Sequence, residues 1–211
     1  MISQDNCKEG STEAISITSR CEIRHKNKLY DAAYFMNREN TEKVIHCQFH
    51  LHGQAILAIF NEAIATSTSL YEYQPRTLAT IETWFRTKAE HNYPIIGIEN
   101  SNGILMGFAT YGTFRPYAAF QYSVEHSVYV DAKFRNRGIG KRLLQELIQL
   151  AQQQNYHTMI GGIDGSNKIS IKLHQSLGFV HCGSIKEVGF KFDRWLNLKF
   201  YQLILSTPDL S

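Results

Sequence analysis

Phe134 to Lys141 reads FRNRGIGK. Gly138 and Gly140 bracket Ile139, and Arg135, Asn136, Arg137 and Lys141 surround them. A polar, partly apolar segment runs into this stretch and an amphipathic run leaves it. The first backbone N–H groups of a helix have no intrahelical acceptor, and the helix dipole adds partial positive charge there. Glycines let a backbone approach a ligand closely and reach positive φ. Bare backbone, cations and a helix mouth together suit a phosphate, most simply a pyrophosphate. A plain strand-to-helix turn with exposed arginines fits the glycine spacing equally well. The spacing is not G-x-x-x-x-G-K-[ST], and no Ser or Thr follows the lysine to hold magnesium. The Rossmann G-x-G-x-x-G is also absent. Both patterns argue against the nucleotide sites they mark.

The flanking elements are legible from periodicity. In SVEHSVYV, Val124, His126, Val128 and Val130 face one side of a strand, and Glu125, Ser127 and Tyr129 the other. Leu143, Leu144, Leu147, Ile148 and Ala151 mark one face of a following helix, with Asn155 as its stop. Upstream, Ile56, Ile59, Phe60, Ala63 and Ile64 share a helical face. TLATIETWFRTKAEH reads as a second helix, with Thr77 as N-cap and Ile81, Trp84 and Phe85 inward. YPIIGIE, SNG and ILMGFATYG read as a hairpin. HTMIGGI reads as a strand, SNKISIKLHQSLGF as a capped helix ended by Gly178, and FYQLIL as a last strand. The fold class is α/β: one mixed sheet with helices on both faces and hairpins at each end.

The chain has 211 residues, enough for one domain with a real core and some additional chain. Its net charge of +3 is no reason to propose nucleic acid as a partner. No apolar run approaches the roughly 20 residues that span a bilayer, so no membrane role is expected. The polar N-terminus is unlike a secretory signal, which points to the cytoplasm. Cys7, Cys21, Cys47 and Cys182 are scattered and form no C-x-x-C pair, so they read as idle thiols. No metal is implied: His46, His50 and His52 in HCQFHLH come nearest to ligand spacing and read as a surface strand or loop. Residues 1–44 are polar without a sustained period and read as an extension of unknown role. The functional domain spans residues 45–205, and 206–211 form a tail.

R-x-x-G-x-G, from Arg135 to Gly140, resembles the coenzyme A loop of the GNAT superfamily of N-acetyltransferases. The wider stretch FRPYAAFQYSVEHSVYVDAKFRNRGIGKRLLQELI is similar to the phosphinothricin N-acetyltransferase branch, which carries V-E-H-S-x-Y-V just before the loop. IFNEAIATSTSLYEYQP upstream, and GGIDGSNKISIKLHQSLGF and GFKFDRW downstream, match further segments in order. The resemblance covers Ile45 to Leu205 and implies a GNAT-type fold, acetyl-CoA as cosubstrate and a small-molecule amine as acceptor. It also implies a homodimer.

Residue by residue, the resemblance places Arg135 to Lys141 on the pyrophosphate and Val128, Tyr129 and Val130 along the pantetheine arm. It places Asn167 on the cofactor, a position that alone reads as part of a helix cap. Glu125 becomes the general base and Arg115 an anchor for a substrate anion, although Arg115 reads equally as a surface arginine. His174 lies four residues before Gly178, where many members carry tyrosine. It becomes an acid for the leaving thiolate or a participant in deprotonating the amine. Two positions depart from the branch: Gln121 stands where an arginine is common, and Trp195, Leu196 and Asn197 replace W-x-D. These put the herbicide-type substrate in question and leave acetyl transfer untouched. A polyamine, aminoglycoside or protein N-terminus remains an alternative acceptor, and a non-catalytic acyl-CoA-binding module an alternative role.

Overall fold

A computed structural model describes residues 42–207. Seven strands form one sheet: β1 (Lys43–His46), β2 (Ile95–Glu99), β3 (Leu105–Thr113), β4 (Ser123–Val130), β5 (Thr158–Asp164), β6 (Val180–Lys191) and β7 (Arg194–Ile204). Their order is β1-β2-β3-β4-β5-β7-β6. Every neighbouring pair is antiparallel except β4 with β5. Four helices cover the sheet: α1 (Phe49–Thr66), α2 (Leu78–Glu90), α3 (Ile139–Gln153) and α4 (Lys168–Gln175).

The pleat sorts apolar side chains into two cores. Ile96 and Ile98 of β2, Tyr111 of β3 and Val124 of β4 pack with Leu143, Leu144, Leu147 and Ala151 of α3. Ile95 of β2 and Phe108 of β3 pack instead with Ile56, Ile59 and Phe60 of α1 and Ile81 of α2. The expected mixed sheet with helices on both faces is what forms.

Local signals explain the element ends. Thr77 caps α2 as expected, accepting from the Thr80 N–H, while the Thr80 hydroxyl accepts from the Thr77 N–H at 3.0 Å. Thr77→Ala removes one of these reciprocal bonds. It is expected to lower unfolding free energy by about 1 kcal/mol in a urea titration, with the slope unchanged. Asn155 (φ 60°) and Gly178 (φ 87°) follow α3 and α4 in the left-handed region, as their stop roles require. Phe192 and Asp193 both have positive φ (53° and 54°) and join Lys191 to Arg194 in a tight hairpin turn.

The HCQFHLH reading needs correction. Only His46 ends a strand; His50 and His52 lie in the first turns of α1, which starts at Phe49, seven residues before Ile56 opens the apolar face. His52 is buried, its Nδ1 accepts the Gln48 N–H at 2.8 Å, and its Nε2 donates to Glu99 Oε1 at 3.0 Å. Lys43 completes the cluster at 3.2 Å from Glu99 Oε2. The histidine thus satisfies an amide that the helix start leaves open. Among the described residues, no group of three or more His, Cys, Asp or Glu is placed to hold a metal ion. No described helix is long and apolar enough to cross a membrane. Of the cysteines, Cys47 and Cys182 are free, and Cys7 and Cys21 lie outside the described residues.

Candidate active site

The parallel ladder between β4 and β5 is short. It pairs Ser123 with Thr158, Val124 with Met159 and Glu125 with Ile160, then ends. From His126 to Val130, β4 is paired with β3 alone. The strands splay there and open a cleft of about 520 Å³, whose lining includes Val128, Tyr129, Val130, Gly138, Gly140 and Asn167. That volume suits a cofactor-sized molecule. Backbone groups on the open side of β4 face the cleft, where an extended amide chain could pair with them as a strand would.

The mouth of the cleft is the start of α3. Gly138 is the N-cap at φ 78°, and the first turn closes with the Arg142 N–H on the Gly138 carbonyl at 3.1 Å. The amides of Ile139, Gly140 and Lys141 precede that bond and have no intrahelical acceptor. A side chain at 138 would be strained by its left-handed backbone. Asn136 is also left-handed, at φ 62°, so two of three consecutive residues turn the chain.

The loop arginines are less free than their sequence suggests. Arg135 pairs with Glu62 and donates from Nε to the Val130 carbonyl at 3.1 Å. Arg137 is 3.3 Å from Glu42, which also pairs with Arg142. Lys141 is exposed and makes no ion pair among the described residues. Positive character at the mouth therefore rests chiefly on Lys141 and the free amides. Asn167 is the N-cap of α4, its Oδ1 accepting the Ser170 N–H at 3.0 Å, and it lines the cleft as well.

Glu125 occupies the α1/α2 side of the sheet, at the last rung before the splay. Burial pushes its carboxyl pKa up, while the Arg115 guanidinium opposes the shift. Its Oε1 lies 3.0 Å from where a Cβ on Gly162 would be, so that glycine leaves room for it. Burial also raises the Tyr71 phenol, assisted by the charges of Asp164 and Glu125. Burial alone would raise the Asp164 carboxyl. Hydrogen bonds from Ser166 and Thr68 (both 2.6 Å), with the Arg194 guanidinium at 3.2 Å, hold it below its usual value. Arg115 is exposed, lies over the Phe114 ring and donates to its carbonyl at 2.8 Å.

His174 lies on the opposite side. It is buried in α4, with Nδ1 2.7 Å from the Ser170 carbonyl and Nε2 3.0 Å from Nε2 of His126. Both histidines line the floor of the cleft. The fold thus brings the loop, β4, Asn167 and His174 around one opening and keeps Glu125 across the sheet, where the Arg115 charge acts on it. Sequence reasoning missed His126, Tyr71, Asp164 and Lys191. Lys191 is buried and donates to the carbonyls of Ile64 (2.7 Å), Ser67 (2.9 Å) and Leu70 (2.7 Å), strapping the β6–β7 hairpin to the end of α1. A histidine in phase with Val124 and Val128 was the one available signal for His126.

A family model described as the Acetyltransferase (GNAT) family matches residues 56–179. An L-methionine sulfoximine/L-methionine sulfone acetyltransferase from Pseudomonas aeruginosa is 44% identical over 150 residues, covering 71% of this chain and 87% of that protein. A phosphinothricin N-acetyltransferase from Alcaligenes faecalis is 31% identical over 156 residues, covering 74% of this chain and 79% of its own length. The crystal structure of a GNAT superfamily phosphinothricin acetyltransferase from Sinorhizobium meliloti, in complex with AcCoA, superposes with a TM-score of 0.76 at 32% identity. It covers 78% of this chain and 89% of that one. With its splayed β4–β5 seam and amide-rimmed helix mouth, the chain belongs to the acetyltransferase (GNAT) family.

Proposed function

We propose that the protein transfers an acetyl group from acetyl-CoA to the primary amine of a small molecule, an amino acid or analogue. Bound acetyl-CoA supplies the thioester carbonyl that an uncharged amine can attack. The amides of Ile139, Gly140 and Lys141, with Lys141 itself, hold the pyrophosphate, and the open edge of Val128 to Val130 pairs with the pantetheine arm. Arg135, Asn136, Arg137 and Gly138 shape the loop, and Asn167 flanks it.

The observation that carries the reading is Glu125: a half-buried carboxylate with no hydrogen-bond partner among the described residues, at the rung where the strands part. A primary amine with a pKa of about 10 reaches the site as an ammonium ion and cannot attack until it loses a proton. Glu125, its pKa raised by burial, takes that proton as general base. Arg115 lies near enough to act on Glu125 and so can hold a substrate anion beside the reacting amine.

Acceptors with a second polar head fit this arrangement, as the names of the relatives suggest. Asp164 does not favour a polycation, because Thr68, Ser166 and Arg194 already satisfy it. Gln121 and Asn197 keep the exact amino acid open to experiment. Residues 45–205 form the catalytic unit, together with the start of β1 at Lys43. The protein acts in the cytoplasm without nucleic acid, membrane or metal. Exposed Val188, Phe190, Phe192 and Trp195 on the β6–β7 hairpin support a homodimer.

A coenzyme A release assay tests the reading with methionine sulfoximine, methionine sulfone, phosphinothricin, common amino acids, spermidine and an aminoglycoside. Turnover is expected on the first group. Turnover confined to spermidine or the aminoglycoside overturns the amino-acid assignment. Acetyl-CoA binding by calorimetry with no turnover on any amine favours a binding module.

A further inference from the structure

His126 and His174 meet at the floor of the cleft, with ring centroids 4.9 Å apart and planes inclined by 21°. Their hydrogen bonds determine where the protons are. Nδ1 of His174 faces the Ser170 carbonyl at 2.7 Å, and a carbonyl oxygen only accepts, so this nitrogen carries a proton. Neutral His174 then has its lone pair on Nε2. That atom is 3.0 Å from Nε2 of His126, so His126 is the donor. His126 is left with an unprotonated Nδ1, which is fully buried and has no partner among the described residues.

Surroundings keep the pair in this state. Burial pushes both imidazoles below the usual histidine range; His174 further disfavours a charge on His126, while the Ser170 carbonyl opposes the shift of His174 without cancelling it. Phe179 lies edge-on to both rings, at 5.5 and 5.1 Å, and Tyr201 is the titratable group that faces His174, at 6.4 Å. No carboxylate is hydrogen-bonded to either ring among the described residues. Gly161 makes the room: a Cβ there would lie 2.8 Å from Nε2 of His126 and 3.0 Å from Nε2 of His174. The Nε2–Nε2 bond lies against the space an alanine would fill.

We propose that His126 is a positioning residue whose Nε2–H locks His174 as a neutral acceptor, so the pair offers no N–H to the cleft. His174 in this tautomer has no proton to give a departing thiolate. The expectation that it serves as the acid gives way to a role in shaping and orienting the floor. The assignment rests on the acetyl-transfer reading for its kinetic arm only; the tautomers can be read without any turnover.

The test is imidazole ¹⁵N spectroscopy of the wild-type chain, with pH–rate profiles of His126→Gln, His126→Phe and Gly161→Ala. In the wild type, Nε2 of His174 is expected to be unprotonated and Nε2 of His126 protonated, unchanged around neutral pH. The Gln amide retains a donor near the position of Nε2, so this variant should keep the tautomer and the profile. Without a donor, His126→Phe should let His174 titrate nearer the ordinary value of about 6.5 and add a limb to the profile. Gly161→Ala should do the same with both rings present. A protonated Nε2 on wild-type His174 overturns the proposal, as do matching profiles for Gln and Phe. If His126→Phe fails to fold, the wild-type spectrum and the other two variants decide.

Discussion

Glu125→Gln is expected to lower kcat by about 10²–10⁴-fold, the usual range for a positioned proton acceptor, with acetyl-CoA affinity nearly unchanged. The effect should depend on pH. Glu125 accepts a proton only above its own raised pKa, and an acceptor is needed only while the amine is an ammonium ion. The gap between wild type and variant should be widest on the acid side of neutrality and narrow as pH approaches the amine pKa of about 10. Stability should move differently. A carboxyl pKa raised in the folded state favours folding below its unfolded value, and that contribution is lost as pH rises through the folded value. At neutral pH the variant should therefore unfold no earlier than the wild type, with any difference shrinking in acid. Equal turnover at every pH would remove Glu125 from the mechanism, and an early-melting variant would make the kinetic loss uninterpretable.

Phe108→Ala should have the largest effect on stability, about 3–5 kcal/mol. Phe108 is fully buried in β3 and meets Phe60 at 4.9 Å, Tyr129 at 5.4 Å and Trp84 at 6.1 Å. These side chains come from four different elements, so no single neighbour can move to fill the space. A domain of this kind has about 5–15 kcal/mol in total, so a large part of its stability would go. The cavity would also lie directly behind Tyr129, on the strand that edges the cleft. Urea unfolding measures the loss; a change below about 1 kcal/mol would mean that the aromatic cluster collapses into the gap.

Much of this was legible in the sequence where one periodicity governed a whole element. The α3 face, the β4 alternation and the Thr77 cap all read correctly because packing and local preference agree there. The start of α1 did not, because Phe49 to His52 enter the helix through a buried histidine and a distant Glu99, a contact no local pattern reveals. β6 was hidden for a related reason. It lies at the sheet edge with most of its side chains exposed, and bulges between His181 and Gly183 and between Ile185 and Gly189 break its alternation. In the candidate site, the loop and Glu125 were singled out through a motif. The pairing of Arg135 and Arg137 with carboxylates far away in sequence was not, since charge counts carry no geometry. His126 went unassigned because a histidine in a strand's apolar phase reads as core, and its partner is 48 residues away.

The three-rung ladder has a consequence for how a ligand enters. Two sheet halves meeting at three rungs would ordinarily be free to zip further. Here α3 spans the seam on one face, and on the other Lys191 and Thr68 tie the β5–β7 half to α1. The slot is therefore preorganised. Binding does not have to separate strands, so less of the interaction energy is lost to rearrangement on entry. An extended amide chain lying there would continue the unfinished sheet, its own amides forming the next rungs.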